Sequence, residues 1–461
     1  MVEKKRKYKK IVLVTFAVFF SLLMIYLGVS AYFMNRFYFG YSINSISVSG
    51  KTVREVQDEL ANQVTGYTLT LHERGGVMEE ISGKDINLVH NLENKIQGFK
   101  DEQSPLLWVK GLFIKKDNTL TEMVTFDEKL LKEKIDKLKC FKDSNIVQPK
   151  NPTFIYTGKE YDIVKEINGN KIHKDILYKQ VKEAIVKGIS KINLEEINCY
   201  EKPKYNSQSK EILDTKKLLN KYAVSKITYN FGKNIEVLDS GKFNTWINID
   251  EKFDITIDEE KVKSYVETLS NKYDTYGTAR SFATSSGTTK KVSGGNYGWL
   301  INKSKEAKEL VAAIKAGETV AKKPVYSQTA KGTVDNDIGN TYLEIDLTKQ
   351  YLWFYKNGTL ITKGSVVTGN VSSNHTTPPG TYKLTYKQKD AVLRGPGYAA
   401  PVTYWMPFNG GIGLHDASWR ATFGGEIYKT NGSHGCINAP YQVAEAVFKN
   451  IEAGIPVVCY R

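Results

Sequence analysis

Cysteine is scarce in this chain: 461 residues hold four, Cys140, Cys199, Cys436 and Cys459. They are too few and too scattered for a disulfide framework, and no C-x-x-C pair marks a zinc site. A bridge between Cys140 and Cys199 is chemically conceivable but cannot be read from spacing. Proline is sparse (12), and no proline- or glycine-rich tract separates the folded units, so their boundaries must come from pattern. Negative charge is short as well: 50 Asp and Glu stand against 65 Lys and Arg, a net charge of +15. Such a surface favours polyanions, whether nucleic acid, anionic lipid or a wall polymer. Long apolar runs are missing with one exception, which excludes a multi-span membrane protein. A charged fraction of 25 % and a hydrophobic fraction of 41 % are ordinary for globular chains and exclude wholesale disorder and collagen. The length predicts about three folded units.

The exception lies at the start. Lys4, Lys5, Arg6, Lys7, Lys9 and Lys10 precede a run from Ile11 to Asn35 that carries no charged side chain. About 20 apolar residues cross a bilayer core, and a basic flank stays on the cytoplasmic side. The expectation is a retained anchor, residues 1–36, with everything after Arg36 outside the cytoplasm at the cell membrane. Val29-Ser30-Ala31 has the small-residue pattern of a cleavage site, so a removed signal peptide is the competing reading. Either exports the chain. Export and the dispersed basic residues argue against nucleic acid as a partner.

The middle of the chain repeats itself. Asp127-Glu128 opens a helical pattern (Leu130, Leu131, Ile135, Leu138) and Asp258-Glu259-Glu260 opens another (Val262, Tyr265, Val266, Leu269), with the acids where helix N-termini favour them. Each is followed by a polar hairpin (154–169; 281–298), a second helix (174–187; 304–315) and a Lys-Pro-x-Tyr tail (Lys202 to Tyr205; Lys323 to Tyr326). Two copies of one α+β unit are expected, 37–209 and 210–330. From about Val334 the texture changes to β-rich runs such as Tyr342 to Leu347 and Tyr351 to Tyr355, with one helix from Tyr441 to Glu452. The fold class is therefore mixed: one N-terminal transmembrane helix, two α+β repeats and a mostly β C-terminal domain, 334–461.

Chemistry concentrates in that last domain. Ser433-His434-Gly435-Cys436-Ile437-Asn438 sets a cysteine and a histidine two residues apart in a glycine-framed turn, and His415-Asp416 stands upstream; the whole chain has only six histidines. A thiol becomes an effective nucleophile when an imidazole takes its proton. Cys436 is the expected nucleophile, with His415 or His434 as base. The N–H groups of Gly435 and Cys436 are candidate oxyanion donors. Asp416 can orient His415, although adjacent side chains often point apart, which leaves a backbone carbonyl or Ser433 for that role. Two histidines and a cysteine can also hold zinc, but no fourth ligand is evident. No cofactor is called for. Cys140, Cys199 and Cys459 sit in apolar or helical settings that suit packing.

The motif from Ser433 to Asn438, preceded by His415, resembles the signature of L,D-transpeptidases of the YkuD type over about 334–461. Thr377-Pro378-Pro379-Gly380-Thr381-Tyr382 and Tyr404-Trp405-Met406-Pro407-Phe408 are similar to the family too. The upstream copies resemble the peptidoglycan-binding domain that often precedes such catalytic domains, at Tyr273-Asp274-Thr275 and Tyr297-Gly298-Trp299. The resemblance implies a β-sandwich-like domain that acylates Cys436 with a tetrapeptide stem at its third residue, releases D-alanine and passes the acyl group to an amine of a neighbouring stem, giving a 3→3 cross-link. It also implies acylation by carbapenems at the same cysteine. His415 carries over as base, Asp416 or a nearby carbonyl as its partner, and Ser433, His434 and Gly435 as site-shaping residues. Asn438 stands where many members have arginine, and Asn438, Tyr404, Trp405 and Trp419 are the expected substrate-facing residues. The partners implied are peptidoglycan stem peptides and the membrane. The same residues allow an L,D-carboxypeptidase, if water resolves the thioester, and a third class is a wall-binding protein without catalysis.

Overall fold

The computed structural model describes residues 2–119, 124–395 and 398–461. By contact density the chain divides into two units, 1–153 with 165–207, and 154–164 with 208–461.

The first unit begins with a helix, Val2–Tyr32, the one helix among the described residues long and apolar enough to cross a membrane by length and composition. Most of its surface is bare, but its C-terminal end is not: Ser30 and the following Phe33 are buried. The core of this unit gathers Leu69 and Leu71 with Ile81, Leu131, Ile135, Leu177 and Val181. Its sheet is a hairpin, Thr68–His72 with Met78–Ser82, to which Lys191–Asn193 adds in parallel beside the first strand. Cys140 and Cys199 are both buried in this core and both are free thiols.

In the second unit the same order recurs. The hairpin Lys226–Phe231 with Asn234–Asp239 receives Thr319–Lys322 in parallel beside its first strand. The helices between follow from equivalent local chemistry. Asp127 and Asp258 cap the helices Glu128–Asp136 and Glu259–Tyr273 by accepting from the backbone N–H groups two and three residues on, which satisfies donors that the first turn leaves open. The helices Lys174–Lys187 and Lys303–Ala316 stop at Gly188 and Gly317, whose φ angles of +70° and +77° place them in the left-handed region that glycine enters freely.

The hairpin Thr153–Tyr156 with Tyr161–Val164 lies against the helix Lys210–Ala223: Phe154, Tyr156 and Tyr161 pack on Leu219 and Ala223, and Asn220 exchanges hydrogen bonds with the Tyr161 backbone at 2.6 and 3.2 Å. The later hairpin, Arg280–Ala283 with Thr289–Val292, packs Phe282 and Val292 on Ile338, Val458 and Tyr460.

The C-terminal part is a sandwich of two sheets, here β1 to β9. The first has the order β3 (Thr359–Ser365), β2 (Tyr351–Lys356), β1 (Tyr342–Asp346), β9 (Pro456–Tyr460), β4 (Gly380–Lys383). The second runs β5 (Gln388–Gly395), β6 (Tyr398–Asn409), β7 (Ile412–Asp416), β8 (Ile437–Ala439). Leu343, Ile345, Leu352, Phe354, Val457 and Cys459 from one sheet meet Tyr404, Met406, Phe408, Leu414 and Ile437 from the other, and Ala444 and Val447 of the helix Tyr441–Asn450 join them. Cys459 is thus a core residue, as its apolar setting suggests. Alternation along each strand sends one set of side chains into this core and leaves the other face of the second sheet to build the site.

Candidate active site

β7 and β8 are parallel neighbours, with Leu414 opposite Ile437 and His415 opposite Asn438, and β6 flanks β7 with Trp405 opposite His415. Paired residues share a face, and residues two apart on a strand share it as well. Leu414 and Ile437 point into the core; Trp405, Gly413, His415, Asn438 and Cys436 therefore gather on the other side. Cys436 packs with Trp405, Val402 and Ala391.

The cysteine sits among main-chain groups. Its Sγ lies 3.5 Å from the Gly411 carbonyl, and the Gly413 N–H points at the sulfur. Burial pushes the thiol above its ordinary range while the Gly413 N–H works against that rise, since a donor aimed at sulfur favours thiolate. Gly413 has no room for a side chain: a Cβ there would lie 2.7 Å from the Met406 carbonyl oxygen.

His415 is 97 % buried, and burial lowers its imidazole below the usual range, with nearby Arg420 adding to the effect. Its Nδ1 lies 2.8 Å from the Asp416 carbonyl oxygen. A carbonyl only accepts, so Nδ1 carries the proton and Nε2 keeps the lone pair. The Asp416 carboxylate is elsewhere, on the opposite face, where it accepts from Thr403 N–H at 3.2 Å and Tyr404 N–H at 2.7 Å. Of the orienting groups considered from sequence, the one in contact with the ring is the main-chain carbonyl. Trp405 and Trp419 flank the imidazole, each with its ring centroid 5.9 Å away, and Trp419 is half exposed.

The loop before Cys436 is built around Ser433. Its Oγ donates to the Cys436 carbonyl at 2.6 Å and accepts from the Gly435 N–H at 3.0 Å. That corrects the expectation for Gly435: its N–H is engaged by Ser433, which leaves the Cys436 N–H as the remaining candidate of the pair. Gly435 adopts a φ of +119°, open to glycine and strained for other residues. His434 is exposed, its ring 4.8 Å from that of His375.

Like the Asp416 carboxylate, the side chain of the sequence-predicted Tyr404 does not join this face. Strand alternation turns it inward, and its hydroxyl meets Tyr441 at 3.3 Å and Glu445 at 3.1 Å on the terminal helix. Asn438 does share the face with His415, and its buried Oδ1 has no hydrogen-bond partner. Sequence reasoning missed Thr377 as a structural support: buried, it donates to the Gly435 carbonyl at 2.7 Å and accepts from the Gly369 N–H at 3.0 Å. It missed Gly411, Gly413 and Arg420 too; glycine density was the available signal for the first two.

Among the described residues, the one group of three metal-ligating side chains is Glu73, Glu79 and Cys140, whose ligand atoms lie within 4.8 Å of one another. Both Glu79 oxygens already accept from the backbone N–H groups of Lys139 and Cys140, at 2.8 and 3.0 Å, so this acid is a structural clamp.

Residues 340–459 match the family model of the L,D-transpeptidase catalytic domain of YkuD type, and residues 78–193 and 205–321 each match the family model of a peptidoglycan binding domain. No curated protein matches the chain. Among solved structures, a crystal structure of an Enterococcus faecium L,D-transpeptidase carrying a cysteine-to-serine mutation is 32 % identical, covering 54 % of this chain and 100 % of that one, with a TM-score of 0.47. The catalytic domain of the E. faecium enzyme solved by NMR is 40 % identical over 26 % of this chain and 97 % of its own, TM-score 0.24. The same domain acylated by ertapenem is 40 % identical over 26 % and 98 %, TM-score 0.25. With both peptidoglycan-binding copies and the catalytic domain matched in sequence, and a relative of this identity covered from end to end, the chain belongs to the L,D-transpeptidases of the YkuD type.

Proposed function

We propose that this enzyme is anchored in the cell membrane, faces the wall and joins peptidoglycan stems by 3→3 cross-links. The observation that carries the chemistry is the His415 ring, held by Nδ1–H on the Asp416 carbonyl at 2.8 Å, on the same sheet face as Cys436. Nε2 takes the thiol proton as Sγ attacks the carbonyl of the third residue of a tetrapeptide stem. The Cys436 N–H meets the developing oxyanion, and His415 returns the proton to the departing D-alanine amine. An amine of a second stem then attacks the thioester, His415 removes a proton from it, and Cys436 leaves as the thiol. Ser433 and Gly435 hold the nucleophile loop, His434 lines its exposed edge, and Trp405, Trp419 and Asn438 bound the donor. The ertapenem adduct of the E. faecium catalytic domain supports acylation of Cys436 by carbapenems.

The proposed domains are an anchor at 1–36, peptidoglycan-binding arms at 37–209 and 210–330, and the catalytic domain at 334–461. Retention of the anchor is supported by the burial of Ser30 and Phe33: the end of the first helix is part of the folded unit that comes after it, which a cleaved leader would not be.

Intact-protein mass spectrometry of the full chain with a disaccharide-tetrapeptide, beside Cys436→Ala, tests the reading. A covalent adduct in the wild type alone, together with dimer carrying a 3→3 link, is the expected result. Tripeptide without dimer would replace it with carboxypeptidation, and absence of both adduct and product from folded protein would leave a wall-binding role.

A further inference from the structure

The segment 105–114 reads Pro-Leu-Leu-Trp-Val-Lys-Gly-Leu-Phe-Ile, with Lys115 and Lys116 after it. Its first part, Pro105–Leu112, forms two short 3-10 turns joined across a kink at Leu107, with no buried residue. Leu106, Leu107, Leu112, Phe113 and Ile114 are all exposed, Phe113 to 83 %. An apolar patch of this size in one short segment of a folded unit calls for a partner.

The place of the segment identifies that partner. Tyr26 donates its hydroxyl to the Leu106 carbonyl. The Trp108 ring lies 5.9 Å from Tyr26 and stacks on Phe33 at 6.1 Å. The segment therefore runs beside the last turns of the helix Val2–Tyr32. A hydrocarbon core of about 30 Å takes about 20 helical residues. Counted from Ile11, it ends near Ser30, which puts Tyr26 about 6 Å inside the outer boundary. Leu106 is level with Tyr26, so the patch is continuous with the apolar surface of the anchor.

The backbone fixes the segment there. A Cβ on Gly111 would lie 2.4 Å from the Phe39 carbonyl oxygen, and one on Gly40, at φ +72°, would lie 2.8 Å from the Gly111 carbonyl oxygen. Two glycines thus let the chains touch main chain to main chain. Lys116 N–H donates to the Gly40 carbonyl at 3.0 Å, and Tyr41–Ile43 pairs in parallel with Lys116–Asn118. Lys110 and Lys115 are exposed around the patch, long enough to reach lipid phosphates while their stems lie among apolar groups.

Resting on the anchored reading of the enzyme, we propose that residues 105–114 form a second membrane contact, seated in the outer interface beside the anchor, with Leu106, Leu107, Leu112, Phe113 and Ile114 among the upper acyl chains and Lys110 and Lys115 at anionic headgroups. An interfacial element has this composition, apolar and aromatic on one side and basic around it. Its effect is to fix how the first folded unit stands on the bilayer, where a single helix alone would leave it free to tilt and spin.

The test uses the full chain in vesicles of phosphatidylethanolamine and phosphatidylglycerol, in a Cys436→Ser background whose other cysteines are buried. A fluorophore is attached at Phe113→Cys or at Phe16→Cys. At position 113 the expected result is loss of emission with a nitroxide at headgroup depth and protection from aqueous iodide. At position 16 the loss should come from a nitroxide deep in the acyl region. Quenching at 16 with iodide access at 113 would overturn the second contact and leave the anchor standing; no lipid quenching at 16 would overturn the anchor itself. A probe at 113 shielded from both quenchers would mean that protein covers the patch, for instance a second copy, and would overturn the lipid assignment. Lys110→Gln with Lys115→Gln should weaken the nitroxide quenching at 113, and unchanged quenching would remove the headgroup part of the proposal.

Discussion

The Thr377 hydroxyl donates to the Gly435 carbonyl, one residue before Cys436, and accepts from the Gly369 N–H. In a trans peptide the carbonyl and the following N–H point in opposite directions, so anchoring the Gly435 carbonyl also aims the Cys436 N–H. Thr377→Val keeps the volume and removes both bonds. It should lower the rate of Cys436 acylation about tenfold or more, as loss of a fixed oxyanion donor does, and lower stability by ~1 to 3 kcal/mol through two unsatisfied buried groups. Stopped-flow acylation by a carbapenem and urea unfolding measure the two effects, and an unchanged acylation rate would free the Cys436 N–H from dependence on Thr377.

The second prediction concerns charge at rest. Burial holds the Cys436 thiol above its ordinary range and the His415 imidazole below its own, so thiol and imidazole are both neutral near pH 7. Iodoacetamide should alkylate Cys436 at a rate that climbs past pH ~8.5, the ordinary thiol value. A plateau already reached at pH 6 would reveal a resting ion pair instead. The lowered His415 value also has a stability sign: its neutral form is favoured in the fold, so its contribution is present above the unfolded value of ~6.5 and is lost as pH falls through the folded one. His415→Gln should flatten that acid limb in thermal unfolding between pH 7 and 5.

A third concerns the first unit. Glu73 is pushed up to about 7 by burial first and by its hydrogen bond and charge against Glu79 next. A raised carboxyl stabilises the fold below the unfolded value of ~4.3, and that stability is lost as pH rises through about 7. Glu73→Gln keeps a donor for Glu79 and has no proton to lose. It should leave stability at pH 4 nearly unchanged and raise it by ~1 to 2 kcal/mol at pH 8, read from denaturant midpoints at the two pH values; equal shifts at both would exclude the raised carboxyl.

Arg280 and Asp337 form the fourth. Both are buried, 2.6 Å apart at their closest, and the guanidinium also donates to the carbonyls of Thr275, Thr278 and Tyr297. Arg280→Ala strands a buried carboxylate and several carbonyls, and should destabilise by ~3 to 5 kcal/mol. Arg280→Ala with Asp337→Ala should recover part of that loss, and a double variant no more stable than the single would show that the carbonyl bonds dominate.

How much of this was legible in sequence varies by element. The helices after Asp127 and Asp258 could be located because capping and apolar spacing are local signals, and the two copies could be aligned because the acidic openings and the Lys-Pro-x-Tyr tails recur. The loop around Cys436 stands out through the rarity of histidine and cysteine. Tyr404 was misplaced because neighbours in an aromatic run look alike until register decides which of Tyr404 and Trp405 faces the core. The engagement of Gly435 by Ser433 was hidden because two residue types that both suit a turn reveal nothing about which donor is already taken. Thr377 lies in a stretch similar to the family, yet its contact with Gly435 spans 58 positions, beyond any local pattern.

The two hairpins, 153–164 and 280–292, have a consequence for how such a chain can lengthen. The first packs on Lys210–Ala223 and the second on Ile338, Val458 and Tyr460, so each copy of the repeat carries the connector that the next piece needs. A copy inserted whole would accept the connector of its predecessor and offer its own to its successor, leaving every joint already in place. The number of copies is then a modular variable, set apart from the residues gathered around Cys436.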